Sequence, residues 1–241
     1  VDIPVSLLVA QGRERLDQEL VERPALRARL QGVLARVHEN LGKPLEAVAL
    51  YEQAIAQERA IGAPDRLRLA KLLGELAVLL SNENRIEPAL KAARESLALR
   101  QALLPPGAPA LGDAWNELGL ALRAAESFDD ARDAYQRSVA IRERATGRER
   151  LPLASTLHNL ALLESRAGHL ALAGDLLDRA AAIKQEWLPT GHMDRLNTDR
   201  QRGMLLNERG RSAEALPMLQ DVTEQIRRIA GEDSILFVRN L

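Results

Sequence analysis

The chain has 241 residues, of which 46% are hydrophobic, and this composition is sufficient for a folded core. Its 33 Lys and Arg residues nearly balance its 34 Asp and Glu residues, so no global field attracts nucleic acid or anionic lipid. The absence of Cys excludes disulfides, thiolate metal sites and a Cys nucleophile, and no apolar run reaches the roughly 18 residues of a transmembrane helix. We therefore expect a protein without direct membrane insertion. Its expected location is the cytoplasm, or the extracytoplasmic side if a membrane-anchored parent protein carries it.

The first predicted element is a lone helix that precedes the periodic part of the chain. Apolar residues and one glycine recur there at helical spacing and form a single stripe: Val5, Leu8, Val9, Gly12, Leu16 and Leu20. We assign residues 1–27 to this N-terminal capping helix.

From residue 28 onward the sequence repeats itself every 42 residues. Alanine recurs at this interval, at Ala47, Ala89, Ala131, Ala173 and Ala215. A second series of small residues precedes it, at Ala35, Ala77, Gly119, Ala161 and Gly203. Strict register over five copies indicates an internal structural repeat. The predicted units are residues 28–69, 70–111, 112–153, 154–195 and 196–237, and residues 238–241 begin a truncated or capping helix.

Each unit is predicted to be a helical hairpin. Apolar residues in its first run fall on one helical face, as at Leu72, Leu76 and Leu79. A break such as Gly42 or Gly168 then separates this run from a second amphipathic run. We expect the two small-residue series at the crossing of the two helices, because close approach requires small side chains. The fold class is therefore all-α, built from stacked helix-turn-helix hairpins.

The stretches GKPLEAVALYEQAI and SFDDARDAYQRSVAI resemble the tetratricopeptide repeat (TPR), whose pattern is a small residue, a turn glycine and then AxxxYxxA. The 42-residue period with LHNLALL is similar to the longer repeat of kinesin light chains, and the similarity covers residues 28–237. The segment RERLDQELVERPALRARLQGVLARVHENLG also resembles the start of the repeat region in large bacterial serine/threonine kinases and related signalling proteins. The TPR resemblance implies a right-handed superhelix of hairpins that acts as a non-catalytic protein-interaction scaffold.

Motifs for catalysis, cofactors or metals are not supported by the residue spacing. The four histidines lack the short spacing of a zinc site: His38, His158, His169 and His192. No phosphate-binding loop, dinucleotide fingerprint or nucleophile elbow occurs. We therefore predict no enzyme activity, no cofactor and no metal, and we expect His38 to be packed inside its hairpin.

Four aromatic residues lie where the resembled family places core aromatics: Tyr51, Trp115, Phe128 and Tyr135. An exposed aromatic row would have suggested a platform for stacking bases or sugars. We instead expect these four side chains in the hydrophobic core.

The family resemblance places a concave groove along the first helices, with the residues at i, i+3, i+7 and i+10 facing it. The first copy of this stripe supplies Arg29, Gly32, Arg36 and Glu39, and the second begins with Lys71 and Gly74. The stripe has an apolar third position in four copies, and its charged members are mostly basic. The candidate peptide groove comprises Val78, Asn116, Leu120, Arg123, His158, Leu162, Arg200, Met204 and Asn207. Its expected ligand is an acidic peptide or partner protein, held by arginine–carboxylate hydrogen bonds and amide contacts.

Three alternatives stand beside this peptide-binding scaffold. The chain can be the sensory or regulatory region of a bacterial signalling enzyme, such as a serine/threonine kinase, whose catalytic domain lies outside this segment. It can also be a self-association module that forms a homodimer. In the third alternative, the apolar stripe residues are half covered by the next unit and the charges only maintain solubility.

Overall fold

The computed structural model describes residue 20 and residues 22–230, and within them it contains ten α-helices, one short 3-10 helix and no β-strand. The α-helices are α1 (Pro24–Asn40), α2 (Pro44–Ala60), α3 (Arg66–Asn82), α4 (Ile86–Leu103), α5 (Pro109–Ala124), α6 (Phe128–Arg142), α7 (Leu151–Arg166), α8 (Leu170–Trp187), α9 (Met193–Glu208) and α10 (Ser212–Ala230). The 3-10 helix, Gly147–Arg150, directly precedes α7. The predicted all-α class is confirmed. Most of the predicted capping helix, and all of residues 238–241, lie outside the described residues.

Consecutive helices pack against each other as hairpins, α1 with α2, α3 with α4, α7 with α8, and α9 with α10. Hairpins also stack, because α2 packs on α3, α4 on α5, α3 on α5 and α8 on α9. These contacts divide the chain into two compact units, Val1–Ala131 and Arg132–Leu241. Unit one holds the first two hairpins and α5, and unit two holds most of α6 and the last two hairpins. The prediction of stacked helix-turn-helix hairpins is confirmed.

The small residues of both 42-residue series are buried in all five copies. Gly203 shows why they are small, because a Cβ atom at this position of α9 would lie 2.7 Å from Cδ2 of Leu219 on α10. Such a separation is too short for two carbon atoms, so a larger side chain would displace Leu219 from its packing.

The turn inside each hairpin has the same backbone geometry in all five copies. A residue with φ between 56° and 82° lies two residues after the end of each first helix, at Gly42, Asn84, Glu126, Gly168 and Gly210. The next N–H then donates to the carbonyl five residues earlier, as from Lys43 to His38 at 2.9 Å. This bond satisfies a carbonyl that the helix end leaves free. The turn requires a left-handed residue, which is why glycine occupies it in three copies.

A charged side chain is buried at the same position of four second helices: Glu58, Arg100, Arg142 and Lys184. Each one contacts the start of the first helix in the next hairpin, and we call this contact a joint. In the first joint, Glu58 accepts hydrogen bonds from the Asp65 backbone N–H at 2.7 Å and from the Arg68 side chain at 3.2 Å. Because a buried charge requires a partner, each joint fixes where the next hairpin docks.

The second joint is built around Arg100 and Glu117. One Nη atom of Arg100 lies 2.9 Å from the Glu117 carboxylate and donates to the Ala110 carbonyl at 3.2 Å. The Ser96 hydroxyl donates to the same carboxylate at 3.1 Å. Gly74 makes room for this cluster, because a Cβ atom there would collide with the Glu117 side chain.

The third and fourth joints, both in unit two, use a threonine on the next first helix. Arg142 hydrogen-bonds to the Thr156 hydroxyl, and the Lys184 amine donates to the Thr198 hydroxyl at 2.8 Å. Both cations also donate to the carbonyl four residues before that threonine, at 2.8 and 3.1 Å. Burial lowers the pKa of Lys184, partly opposed by two nearby aspartates.

The predicted core aromatics have mixed outcomes. Tyr51 and Tyr135 are fully buried, as expected, and His38 is also buried. Trp115 is only half-buried. The prediction for Phe128 is wrong, because this side chain is 38% exposed. Phe128 is the first residue of α6, at the exposed start of the helix. Across residues 22–230, no helix combines the length and apolarity that a membrane span requires.

Candidate peptide-binding groove

Unit one contains an open groove of about 510 Å³ between the first helices of hairpins one and two. We call it the α1–α3 groove, and it is lined by Arg29, Gly32, Val33, Arg36, Asp65, Leu67, Arg68, Lys71, Leu72 and Glu75. Four of these residues belong to the stripe predicted from the sequence, namely Arg29, Gly32, Arg36 and Lys71. The groove therefore uses the beginning of the predicted stripe, and its lining includes none of the nine candidate residues, the first of which, Val78, lies further along α3.

Two features hold the walls of the α1–α3 groove in place. A Cβ atom on Gly32 would lie 2.7 Å from Cδ2 of Leu72, so glycine leaves room on α1 for the Leu72 side chain of α3. Asp65 caps α3 by accepting the Arg68 backbone N–H at 3.0 Å, and this hydrogen bond lowers the pKa of Asp65. The Arg68 guanidinium is bound by Asp65 and Glu58, so it acts as part of the wall.

The remaining cations of the α1–α3 groove are directed towards solvent. Arg29 is exposed, and the side chains of Arg36 and Lys71 are 47% and 61% exposed. Between them lies an apolar floor formed by Val33 and Leu67, which are 41% and 45% exposed. This combination of apolar floor and cationic rim suits an extended peptide that carries both apolar side chains and carboxylates.

Glu75 is the acidic residue that faces these cations. Its Oε1 atom lies 3.3 Å from Nη1 of Arg36 and 4.0 Å from Nζ of Lys71. Burial raises the pKa of Glu75, although Arg36 and Lys71 oppose the shift. Burial and the charge of Glu75 also raise the pKa of Glu39 and that of Tyr51. The partly buried Glu75 carboxylate therefore already binds the two cations Arg36 and Lys71 at the rim of the groove.

The structure places the other predicted site residues on four first helices. In unit one, α3 carries Val78 and α5 carries three more, all partly buried: Asn116, Leu120 and Arg123. In unit two, α7 carries His158 and Leu162, and α9 carries Arg200, Met204 and Asn207. All nine residues therefore lie on first helices, as the predicted stripe requires. Their role in binding stays a prediction.

Two of these residues have structural contacts that the sequence did not predict. Nδ1 of His158 lies 3.2 Å from the Thr198 hydroxyl, so this histidine extends the fourth joint. Oδ1 of Asn207 accepts a hydrogen bond from the Ser212 hydroxyl at 2.7 Å, across the turn between α9 and α10. To bind a ligand, Nδ1 of His158 and Oδ1 of Asn207 would have to give up or share these structural hydrogen bonds.

A smaller cavity of about 280 Å³ lies in unit two, near α8, α9 and α10, and contains none of the nine predicted residues. Arg202 lines it at a position where the other four copies have leucine. Its guanidinium is neutralised by Asp178 at 2.7 Å and by Asp199 at 3.3 Å. Two of its three arginines, Arg202 and Arg211, are bound by carboxylates, and it has fewer cations than the α1–α3 groove, so it presents a weaker case for an anionic ligand.

Sequence reasoning missed the buried ionic groups, although a signal was present. The joint residues recur at the 42-residue period as charges among apolar neighbours. Glu164 has no such signal, because the equivalent residues are leucines in three copies: Leu80, Leu122 and Leu206. Glu164 is buried and binds Arg132 and His169, each at 2.6 Å. Burial alone would raise the pKa of Glu164, but these hydrogen bonds lower it overall.

Comparison with known proteins identifies the family. A sequence model of the tetratricopeptide repeat matches residues 26–102 and 111–186, which is more than half of the chain. The chain belongs to the tetratricopeptide repeat family. The matched ranges of this TPR protein include α1 from residue 26 onward and all of α3. No curated protein sequence is similar enough to count as a relative.

Solved structures support the same fold. BtubC (BKLC) from P. vanneervenii has a TM-score of 0.72 at 20% identity, covering 95% of this TPR chain and 94% of its own. A Podosopora anserina kinesin light chain with nearly identical TPR-like repeats has a TM-score of 0.65 at 23% identity, covering 88% and 100%. A Rap protein complexed with Competence and Sporulation Factor has a TM-score of 0.73 at 12% identity, covering 100% and 70%. At these identities the similarity shows the fold alone.

Proposed function

We propose that this TPR protein is a non-catalytic interaction module that binds an acidic peptide segment of a partner protein in the α1–α3 groove. The observation that carries the proposal is the exposed apolar floor of Val33 and Leu67 beside the solvent-directed cations Arg29, Arg36 and Lys71. The family supports the coarser part, a protein-interaction scaffold, and the Rap neighbour is itself a complex with a bound factor.

The chemistry of the groove favours carboxylates over phosphodiesters or lipid. The chain carries no excess positive charge that would attract a polyanion, so attraction must come from the local cations. Arginine grips a carboxylate with two parallel hydrogen bonds, whereas lysine adds a point charge. Exposed Val33 and Leu67 supply contact area for one or two apolar side chains of the peptide, and this apolar contact adds affinity.

The test compares Arg29→Glu in the groove with Arg94→Glu on α4, which is also an exposed arginine on a helix. The probe is a fluorescein-labelled peptide in which glutamates flank a pair of leucines, with a glutamine-for-glutamate peptide as the uncharged reference. We expect Arg29→Glu to weaken binding about fivefold to tenfold, or about 1 to 1.4 kcal/mol, measured by fluorescence anisotropy. Added salt should weaken wild-type binding as well, since the rim charges are exposed.

Equal losses for both variants would contradict binding in this groove. Tighter binding of the uncharged reference peptide would contradict the acidic ligand. Far-UV circular dichroism of each variant checks that a lost affinity does not come from a lost fold.

A further inference from the structure

The α1–α3 groove has two acidic lining residues, Glu75 and Asp65, and they have different partners. Asp65 caps α3 and binds Arg68, so it has a structural task. Glu75 instead pairs with Arg36 and Lys71, two cations that are directed towards the ligand space. The Arg36 and Lys71 side chains are 47% and 61% exposed, so ligand carboxylates can reach the same cations from solvent.

The repeat register shows that Glu75 is not part of a joint between hairpins. The equivalent residue in the next copy, Glu117, is nearly buried and completes the second joint with Arg100. The joint in front of Glu75 is already formed by Glu58 and Arg68. In the other three copies the position holds uncharged residues: Val33, Asn159 and Gln201. The carboxylate of Glu75 is therefore free to act on the groove.

Several charged groups surround Glu75 and set its response to pH. Helix α1 contributes Arg36 and Glu39, α2 the Tyr51 hydroxyl, α3 Lys71, α4 Arg100, and α5 Glu117, which lies against the neighbouring Gly74. The nearest of them are the two cations of the rim. Neutralising Glu75 would leave both cations without their carboxylate partner on α3.

We propose that Glu75 is a built-in competitor that occupies Arg36 and Lys71 until a ligand displaces it, and that it thereby selects ligands carrying more than one carboxylate. The proposal rests on the acidic-peptide function proposed above. A ligand with a single carboxylate replaces the ion pairs of Glu75 with equivalent ones of its own, so it gains little binding free energy. A ligand with further carboxylates also reaches Arg29, so it gains an ion pair that Glu75 does not offer.

The same competition makes binding depend on pH. Burial raises the pKa of Glu75, whereas the carboxylates of an exposed peptide titrate near their usual value of about 4.3. As the pH falls, Glu75 therefore takes up a proton before the peptide does. Arg36 and Lys71 are released while the ligand is still charged, so affinity should rise on mild acidification.

The experiment measures the dissociation constant of the fluorescein-labelled glutamate–leucine peptide from pH 7.5 down to pH 5. We compare the wild-type chain, Glu75→Gln, and Glu52→Gln on α2, which removes the same charge from an exposed position. At pH 7.5 we expect Glu75→Gln to bind about threefold to tenfold more tightly, and its affinity to change little with pH. Wild type and Glu52→Gln should agree and should both bind more tightly as the pH falls.

An unchanged affinity and pH profile for Glu75→Gln, with wild-type binding still weakened by Arg29→Glu, would overturn the competitor role alone. Weaker binding by Glu75→Gln would also overturn it, since Glu75 would then support the ligand. If neither chain binds the probe, the proposed function fails and the inference fails with it. If Glu75→Gln lowers the melting temperature, the comparison is repeated with Glu75→Asn, the residue type at position 159, under the same criteria.

Discussion

Replacing Arg100 by methionine tests whether the joints hold the hairpins together. The Arg100 and Glu117 side chains are 6% and 12% exposed, so the substitution leaves an almost buried carboxylate with only the Ser96 hydroxyl as a close donor. Breaking a buried pair from one side costs about 3 to 5 kcal/mol. Methionine retains part of the apolar packing, so we expect a loss of about 3 kcal/mol in the free energy of unfolding.

The loss should depend on pH in a defined direction. Burial already raises the pKa of Glu117, and removing Arg100 raises it further. A carboxyl group whose pKa is higher in the folded chain than in the unfolded chain favours folding in its protonated form. The deficit of Arg100→Met should therefore be largest near neutral pH and should shrink as the pH falls towards about 5.

Urea unfolding followed by far-UV circular dichroism measures both effects. Arg94→Met, an exposed arginine on the same helix, serves as the control and should change stability by no more than about 0.5 kcal/mol. Adding Glu117→Gln to Arg100→Met should recover part of the loss, since it removes the stranded charge. A deficit below about 1 kcal/mol, or one that is equal at pH 7.5 and pH 5, would refute the reasoning.

Two further substitutions test the turns and the crossings. Glu126→Gly should stabilise the chain by about 1 kcal/mol, because glycine adopts the left-handed backbone of Glu126 without the penalty of a side chain. The stabilisation should appear as a higher melting temperature. The control, Glu83→Gly, lies at φ −87° in the turn between α3 and α4 and should lower the melting temperature. Ala89→Leu should destabilise the chain by about 1 to 3 kcal/mol through overpacking at a fully buried crossing. Its control, Ala98→Leu on the exposed side of α4, should be nearly neutral in calorimetry, and equal effects of the two leucines would contradict the assigned crossing.

The sequence predicted the elements that depend on local periodicity. The alanine series and the turn residues recur in register, and they determine where each helix ends and where two helices cross. The first helices nevertheless begin slightly before the predicted unit boundaries, as α1 does at Pro24 and α3 at Arg66. A capping aspartate or an early proline, not the repeat register, sets these starts.

The groove and the ionic groups were harder to predict because they depend on which helices meet. The stripe included Arg29 and Arg36, yet only the three-dimensional arrangement of α1 and α3 shows that these arginines border a cavity. The partners of Glu164, Arg132 and His169, lie 32 and 5 residues away in the sequence, and no periodicity connects them. Such contacts depend on how the helices pack, and this packing cannot be read from the periodicity of a single sequence.

The hairpins of this protein are not interchangeable modules, because neighbouring joints differ in chemistry. Excising residues 60–101 would preserve the 42-residue register but would bring Glu58 to the place of Arg100, where it would face the Glu117 carboxylate without a donor. Excising residues 143–184 would instead bring Arg142 to the Thr198 hydroxyl, a partner of the kind it already has. Loss or duplication of a hairpin is therefore tolerated where the new joint again pairs a cation with a threonine. It is resisted where the new joint brings two carboxylates together. The joints thus constrain the order in which such an array can be lengthened or shortened.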